Sequence, residues 1–190
     1  MKQVKRIQKL AQNKFSWRIL GENFVFMHWD HFYKMPTALY KSTMYKHTDS
    51  YEKVIDALRL IKQYFGPIVT IPKTQVLKDS NAHYIIKQEK IHGEKLTKHH
   101  LKKNPKLISK FARIIIANEL MWEQQWFFLD ILGSDIVTQP STIHNLFTDG
   151  ENIYIFDFGL LEHSSKNIFF KYFSRIGAWF QLRFIKRFYK

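Results

Sequence analysis

Two apolar runs, 143–147 and 153–156, bracket Thr148-Asp149-Gly150-Glu151-Asn152, and this pairing restricts the fold more than any other segment. Asp-Gly supplies the backbone freedom a tight turn needs, so the runs are predicted to be antiparallel strands of a hairpin. The segments before it must share a core with that hairpin. After Asn104-Pro105, Leu107, Phe111, Ile114, Ile115, Leu120 and Met121 recur at helical spacing, which predicts a long helix with a core face through about Phe127. Earlier, Asp49 or Ser50 is suited to cap a helix carrying Val54, Ile55, Leu58, Ile61 and Phe65, ended by Gly66-Pro67. Aromatic and β-branched runs at 15–20, 24–29 and 37–43 predict a hairpin turning at Gly21-Glu22-Asn23, and one more strand. The runs 68–77 and 83–91 predict two further strands, separated by Lys78-Asp79-Ser80-Asn81. Strands, helix, strands, helices and a final hairpin make an α+β chain.

With 190 residues, 45% of them hydrophobic, the chain can bury a core without disulfides or structural metal. It has no cysteine, which excludes thiolate catalysis, cysteine-ligated zinc and iron–sulfur clusters. Thirty Lys and Arg stand against sixteen Asp and Glu, and the resulting +14 favours a phosphate-bearing partner: nucleotide, anionic membrane, phosphorylated glycan or nucleic acid. No apolar run reaches the roughly 18 residues of a membrane span, and residues 1–14 lack the apolar stretch of a secretory signal, so a cytoplasmic protein is expected. Both ends are basic. From 166 to 190, lysines and arginines alternate with Phe169, Phe170, Phe173, Trp179, Phe180, Phe184 and Phe188. That interleaving suits an amphipathic helix on an anionic bilayer, which would make the protein peripheral at the inner membrane. It suits the last packed helices of the fold equally well, and nucleic acid is the weakest of the three readings.

Asp157-Phe158-Gly159 follows the hairpin directly, and Asn145 stands twelve residues before Asp157. A carboxylate and an amide oxygen leaving adjacent strands can hold Mg²⁺, which prefers hard oxygen ligands and keeps several waters. The plainer account of Asp157 is a strand-ending turn cap. The run His144-Asn145-Leu146-Phe147, a turn, and Ile153 through Gly159 resembles the catalytic-loop Asn and D-F-G segment of the protein-kinase-like superfamily. The resemblance covers about 15–162 and implies a compact two-lobed fold, with a β-rich N-lobe (15–91), a reduced helical C-lobe (92–165) and the basic aromatic segment 166–190. It implies ATP and Mg²⁺ as cofactors, with Asn145 and Asp157 as metal ligands. Lys41, after Ala38-Leu39-Tyr40, resembles the strand lysine that holds the α and β phosphates, with Lys46 and Lys87 as alternatives. Glu52 resembles its ion-pair partner, although an acid in a first helical turn also complements the helix dipole. The stretch 85–96 resembles the last strand and hinge, where the backbone of Glu89 and Ile91 would meet the adenine ring and Gly93 would let the chain turn.

Three departures bear on activity. The catalytic aspartate should stand five residues before the Asn, where this chain has Pro140; Asp135 is ten residues before. The first hairpin offers Gly21 alone where active kinases have a glycine-rich phosphate loop. Only 31 residues follow Gly159, too few for the helices that seat a peptide substrate. Asp135 through Leu146, with the basic aromatic end, resembles the bacterial YrbL family of the PhoP regulatory network, and the lipopolysaccharide core kinases come second. The implied function is ATP- and Mg²⁺-binding, either in a phosphotransferase acting on a small or lipid-linked hydroxyl or in a pseudokinase working through a protein partner. A non-enzymatic basic module on anionic membrane or RNA is the reading from another class. His28 and His31, with Asp30 between, are expected on opposite faces of one strand. His99-His100 is expected on a hydrated lysine-rich connection, 95–106.

Overall fold

A computed structural model describes residues 18–20, 23–36, 51–78, 84–125, 127–129, 131, 142–157 and 160–162. The architecture is α+β, and the chain divides into two units: Met1–Asp56 with Pro72–Lys90, and Ala57–Ile71 with Ile91–Lys190.

The first unit is built on a five-stranded antiparallel sheet. Strands β1 (Arg18–Leu20), β2 (Asn23–His28), β3 (His31–Pro36), β4 (Thr74–Lys78) and β5 (Tyr84–Glu89) lie in the order β1-β2-β3-β5-β4. Leu20 pairs with Asn23, and His28 with His31, so two consecutive hairpins open the sheet. The sequence runs at 15–20 and 24–29 correspond to β1 and β2. The third strand of the sheet is His31–Pro36, whereas the expected run 37–43 lies outside the described residues. The strand expected over 68–77 is shorter, and β4 begins only at Thr74. Pro72, which has no N–H to give a ladder, precedes it, and the earlier part of the run pairs elsewhere, Thr70 making a parallel bridge to Tyr154.

Helix α1 (Tyr51–Phe65) buries Val54, Leu58, Leu60, Ile61 and Phe65, while Ile55 stays on the solvent side. Val54 packs with Tyr84 and Ile86 of β5, joined by Tyr51 and Val76. At its end the Gly66 N–H bonds the Lys62 carbonyl, and a Cβ on Gly66 would run into that same oxygen. A glycine stop is therefore steric here.

Among the described residues, the second unit takes in the later part of α1 and holds two small sheets and two further helices. Strand β6 (Glu94–Thr97) leads into α2 (Lys98–Lys103), then α3 (Pro105–Gln125), β7 (Phe127–Leu129), β8 (Thr142–Thr148), β9 (Ile153–Ile155) and β10 (Leu160–Glu162). One sheet is β6-β8-β9 and the other is the antiparallel pair β10-β7. Helix α2 occupies the stretch expected to be a hydrated connection. Thr97 caps it, accepting the His100 N–H at 3.3 Å, while His100 Nδ1 accepts the Thr97 N–H at 3.1 Å. An imidazole thus stands where a capping box usually has Glu or Gln. With Nδ1 accepting, the ring proton sits on Nε2, which donates to Glu94 Oε1 at 3.1 Å.

Helix α3 keeps the expected core face through Leu107, Phe111, Ile114, Ile115 and Met121. Leu120 is a correction, being 43% exposed, and Asn118 is buried instead. The helix ends at Gln125, before Phe127, which begins β7.

Candidate functional site

The hairpin expected over residues 143–156 is β8-β9. Thr148 pairs with Ile153, Phe147 with Tyr154 and Leu146 with Ile155. Leu146, Ile153 and Ile155 are fully buried, so one face of the hairpin is anchored in apolar packing. The turn is held by side chains. Thr148 Oγ1 donates to the Asn152 carbonyl at 2.7 Å and accepts the Gly150 N–H at 3.0 Å. Asp149 Oδ1 accepts the Glu151 and Asn152 N–H groups at 2.9 and 2.6 Å, and Oδ2 accepts the Tyr154 hydroxyl at 2.6 Å. Gly150 has φ 95°, the left-handed conformation that makes Asp-Gly effective in turns. The start of α3 steadies the turn from outside: Asn104 Nδ2 donates to the Gly150 carbonyl and Lys110 Nζ to the Glu151 carbonyl, both at 2.8 Å.

The ladder continues one step beyond the named pairs, because Phe156 N–H donates to the Asn145 carbonyl at 3.0 Å. Asn145 and Asp157 therefore sit on neighbouring ribbons, with Asp157 one residue past the backbone partner of Asn145. Both side chains are half-buried, neither sealed in the apolar core nor fully solvated. Asn145 has φ 61° in the middle of β8, a left-handed backbone inside a strand. Asparagine tolerates that conformation better than most residues, and such outliers concentrate where side-chain direction matters more than regularity. Among the described residues no three His, Asp or Glu side chains converge. A cation here would rest on one carboxylate, one amide and oxygens of water or phosphate. That donor set suits Mg²⁺ and is poor for zinc.

Gly93 has a different reason for being glycine than the expected turn. A Cβ there would stand 2.5 Å from the Thr148 carbonyl oxygen, so β6 approaches the end of β8 only without a side chain.

In the first unit, Glu89 ends β5 and gives its N–H to the Lys73 carbonyl at 2.9 Å, while Lys90 gives its own to the Asp30 carbonyl at 2.8 Å. Ile91 follows, half-buried. Glu52 pairs with Lys78 at 3.0 Å, and both side chains are largely exposed. Lys41, Lys46, Asp135, Pro140, Phe158, Gly159 and the segment 166–190 lie outside the described residues. His28 and His31, expected on opposite faces, pair directly across the β2-β3 turn and so share one face.

Sequence reasoning missed Lys34. It lies on β3 with 1% exposure and is the one charged side chain buried among the described residues. It stands in a row with Val25 of β2 and Ile86 of β5, on the sheet face that Val54 of α1 packs against. A buried ammonium is costly unless an anion or several acceptors meet it. The signal in the sequence was a lone lysine inside the aromatic run His31-Phe32-Tyr33-Lys34-Met35. Gln88, opposite Phe32 on that same face, is fully buried; it donates to Thr74 Oγ1 at 3.4 Å, and its Oε1 has no hydrogen-bond partner among the described residues.

Comparison with protein-family models, curated proteins and solved structures finds no match to this chain.

Proposed function

We propose that this chain is a kinase-like ATP- and Mg²⁺-binding protein, with Asn145 and Asp157 as the metal-holding residues. The observation offered in its support is the backbone bond from the Phe156 N–H to the carbonyl of a left-handed Asn145, which puts Asp157 on the adjacent ribbon one residue past that bond. Two further features support it. A helix stands between the third and fourth strands of an antiparallel sheet, and strand β6, helices α2 and α3 and then this hairpin follow, an order compatible with the one that the resemblance implies. Lys34, buried on β3, is a second candidate for the strand-lysine role that the resemblance gives to Lys41, which lies outside the described residues. The backbone of Glu89 and Ile91 would meet the adenine.

Bound Mg²⁺ would neutralise charge on the nucleotide's phosphates. If the protein is a phosphotransferase, the acceptor hydroxyl oxygen bonds to the γ-phosphorus, the bond to the β–γ bridging oxygen breaks, and ADP leaves. The hydroxyl proton then passes to water, because Pro140 replaces the usual base. In the pseudokinase form the same residues hold nucleotide without transfer, and the ligated state binds a protein partner.

Melting curves with and without Mg-ATP test this. Saturating nucleotide, at roughly a hundred times Kd, stabilises the native state by about 2.7 kcal/mol, or roughly 5–10 °C for a chain of this size. Asp157→Ala should abolish the shift. ADP release in the presence of hydroxyl acceptors separates phosphotransferase from pseudokinase. No shift at millimolar Mg-ATP overturns the proposal.

A further inference from the structure

The β2-β3 turn brings two imidazoles to one face of the sheet. His28 pairs with His31 across a loop of Trp29 and Asp30, and directly opposed side chains of an antiparallel pair have Cβ atoms about 4.5–5.5 Å apart. His31 pairs in turn with Glu89 of β5, so His28, His31 and Glu89 form one row across three strands. Tyr33, two residues on, shares that face, its ring centroid 6.4 Å from that of His31, whereas Lys34 lies on the opposite face. Both histidines are half-buried and Glu89 is exposed, so solvent reaches the row. Backbone bonds fix this end of the sheet: the Asp30 carbonyl accepts the Lys90 N–H at 2.8 Å, and the Lys73 carbonyl accepts the Glu89 N–H at 2.9 Å.

We propose that His28 and His31 form a two-imidazole site for a late first-row divalent metal ion, Cu²⁺ foremost. Imidazole nitrogen suits Cu²⁺, Ni²⁺ and Zn²⁺, and of these Cu²⁺ binds a given nitrogen site most tightly. A short turn that already holds both rings on one face spares much of the entropy of gathering two ligands around one ion. Charge does not decide the choice of metal. Asp30 and Glu89 beside the pair are matched in number by Lys73 and Lys90, which the backbone bonds bring to the same end of the sheet. A hard cation such as Mg²⁺ or Ca²⁺, which needs several charged or carbonyl oxygens, is therefore poorly served, and nitrogen coordination is what the pair offers. No third His, Asp or Glu among the described residues converges with the two rings, so water completes the coordination. The site belongs to the first unit, whereas Asn145 and Asp157 belong to the second, and it does not depend on nucleotide binding.

Trp29 reports on the site, because its ring meets the His28 ring edge-on, centroids 6.0 Å apart, and Cu²⁺ quenches indole fluorescence at such range. Titrating the full chain with Cu²⁺ alone should quench one component of the tryptophan emission, saturating at about one equivalent. Trp29→Phe should remove that component while calorimetry still shows the ion bound. His28→Gln and His31→Gln should each weaken binding about tenfold or more, since a second imidazole held close acts as a ligand at high local concentration. His99→Gln should leave the affinity unchanged, and Mg²⁺ in roughly thousandfold excess should not displace the ion. Single variants that bind Cu²⁺ as tightly as the parent overturn the proposal, because each ring would then be a lone adventitious ligand. So does an affinity that survives in the double variant, which puts the ion on other histidines, or a quench that Trp29→Phe leaves intact, or displacement by Mg²⁺.

Discussion

At the scale of single residues, Asp149 shows how a turn carries charge. Partial desolvation acts to raise its carboxyl, but the Tyr154 hydroxyl, the Asn152 and Glu151 N–H groups and the Asn152 amide outweigh it and hold the group well below the usual carboxylate range. The bond to Asp149 is in turn the main reason the Tyr154 hydroxyl is raised above its ordinary value. A lowered carboxylate stabilises the fold above its unfolded pKa, and the contribution is lost as pH falls toward the folded value. Asp149→Ala should therefore cost about 1 kcal/mol at neutral pH, a figure kept small because the group is exposed. The gap between the proteins' urea midpoints should narrow steadily below about pH 4. A gap equally wide at pH 7 and pH 2.5 would refute this account. The Asp-Gly signal made this turn legible in advance, whereas the turn at Trp29-Asp30 carries no glycine or asparagine and was invisible. Without a turn signal there, the strand His31–Pro36 and its buried Lys34 are not legible in the sequence either.

At the scale of elements, Asn118 does for β7 what a neighbouring strand would. Its Nδ2 donates to the Leu129 carbonyl at 3.0 Å, and its Oδ1 accepts the Leu129 N–H at 2.8 Å. On its other side Leu129 pairs with Leu160 of β10, three residues after Asp157. Asn118→Leu keeps the volume but strands a buried N–H and C=O, which should cost about 2–4 kcal/mol by denaturant unfolding. A loss under 1 kcal/mol would mean that water replaces the amide. Periodicity found the core face of α3 but preferred Leu120 to Asn118, because it counts apolar residues and cannot see a backbone partner eleven positions away. The same blindness applies to β7 and β10, three-residue strands that pair with each other across about thirty residues of chain. Helix α2 was missed because a histidine in the role of a capping glutamate is not a signal one reads for.

For the whole molecule, charge is the dominant property. A net +14 is what remains after the sixteen acids are set against the thirty bases, so pairs such as Lys78–Glu52 leave it undiminished and it repels itself within a folded chain. Raising salt from about 20 mM to about 150 mM shortens the Debye length to about 8 Å, and should raise the melting temperature by a few degrees. A fall over that range would mean that attractive pairs outweigh the repulsion. No helix among the described residues is long and apolar enough to cross a membrane. The α+β class and the order of the long elements were readable because apolar periodicity is local; the strand partners in the second unit were not, because they are set by contacts distant in sequence. One feature of β8 also bears on how the chain can drift over generations. A left-handed position admits asparagine, aspartate or glycine with little penalty and resists almost everything else. Backbone shape by itself would thus hold this position to three residue types across a lineage, whatever the chain does.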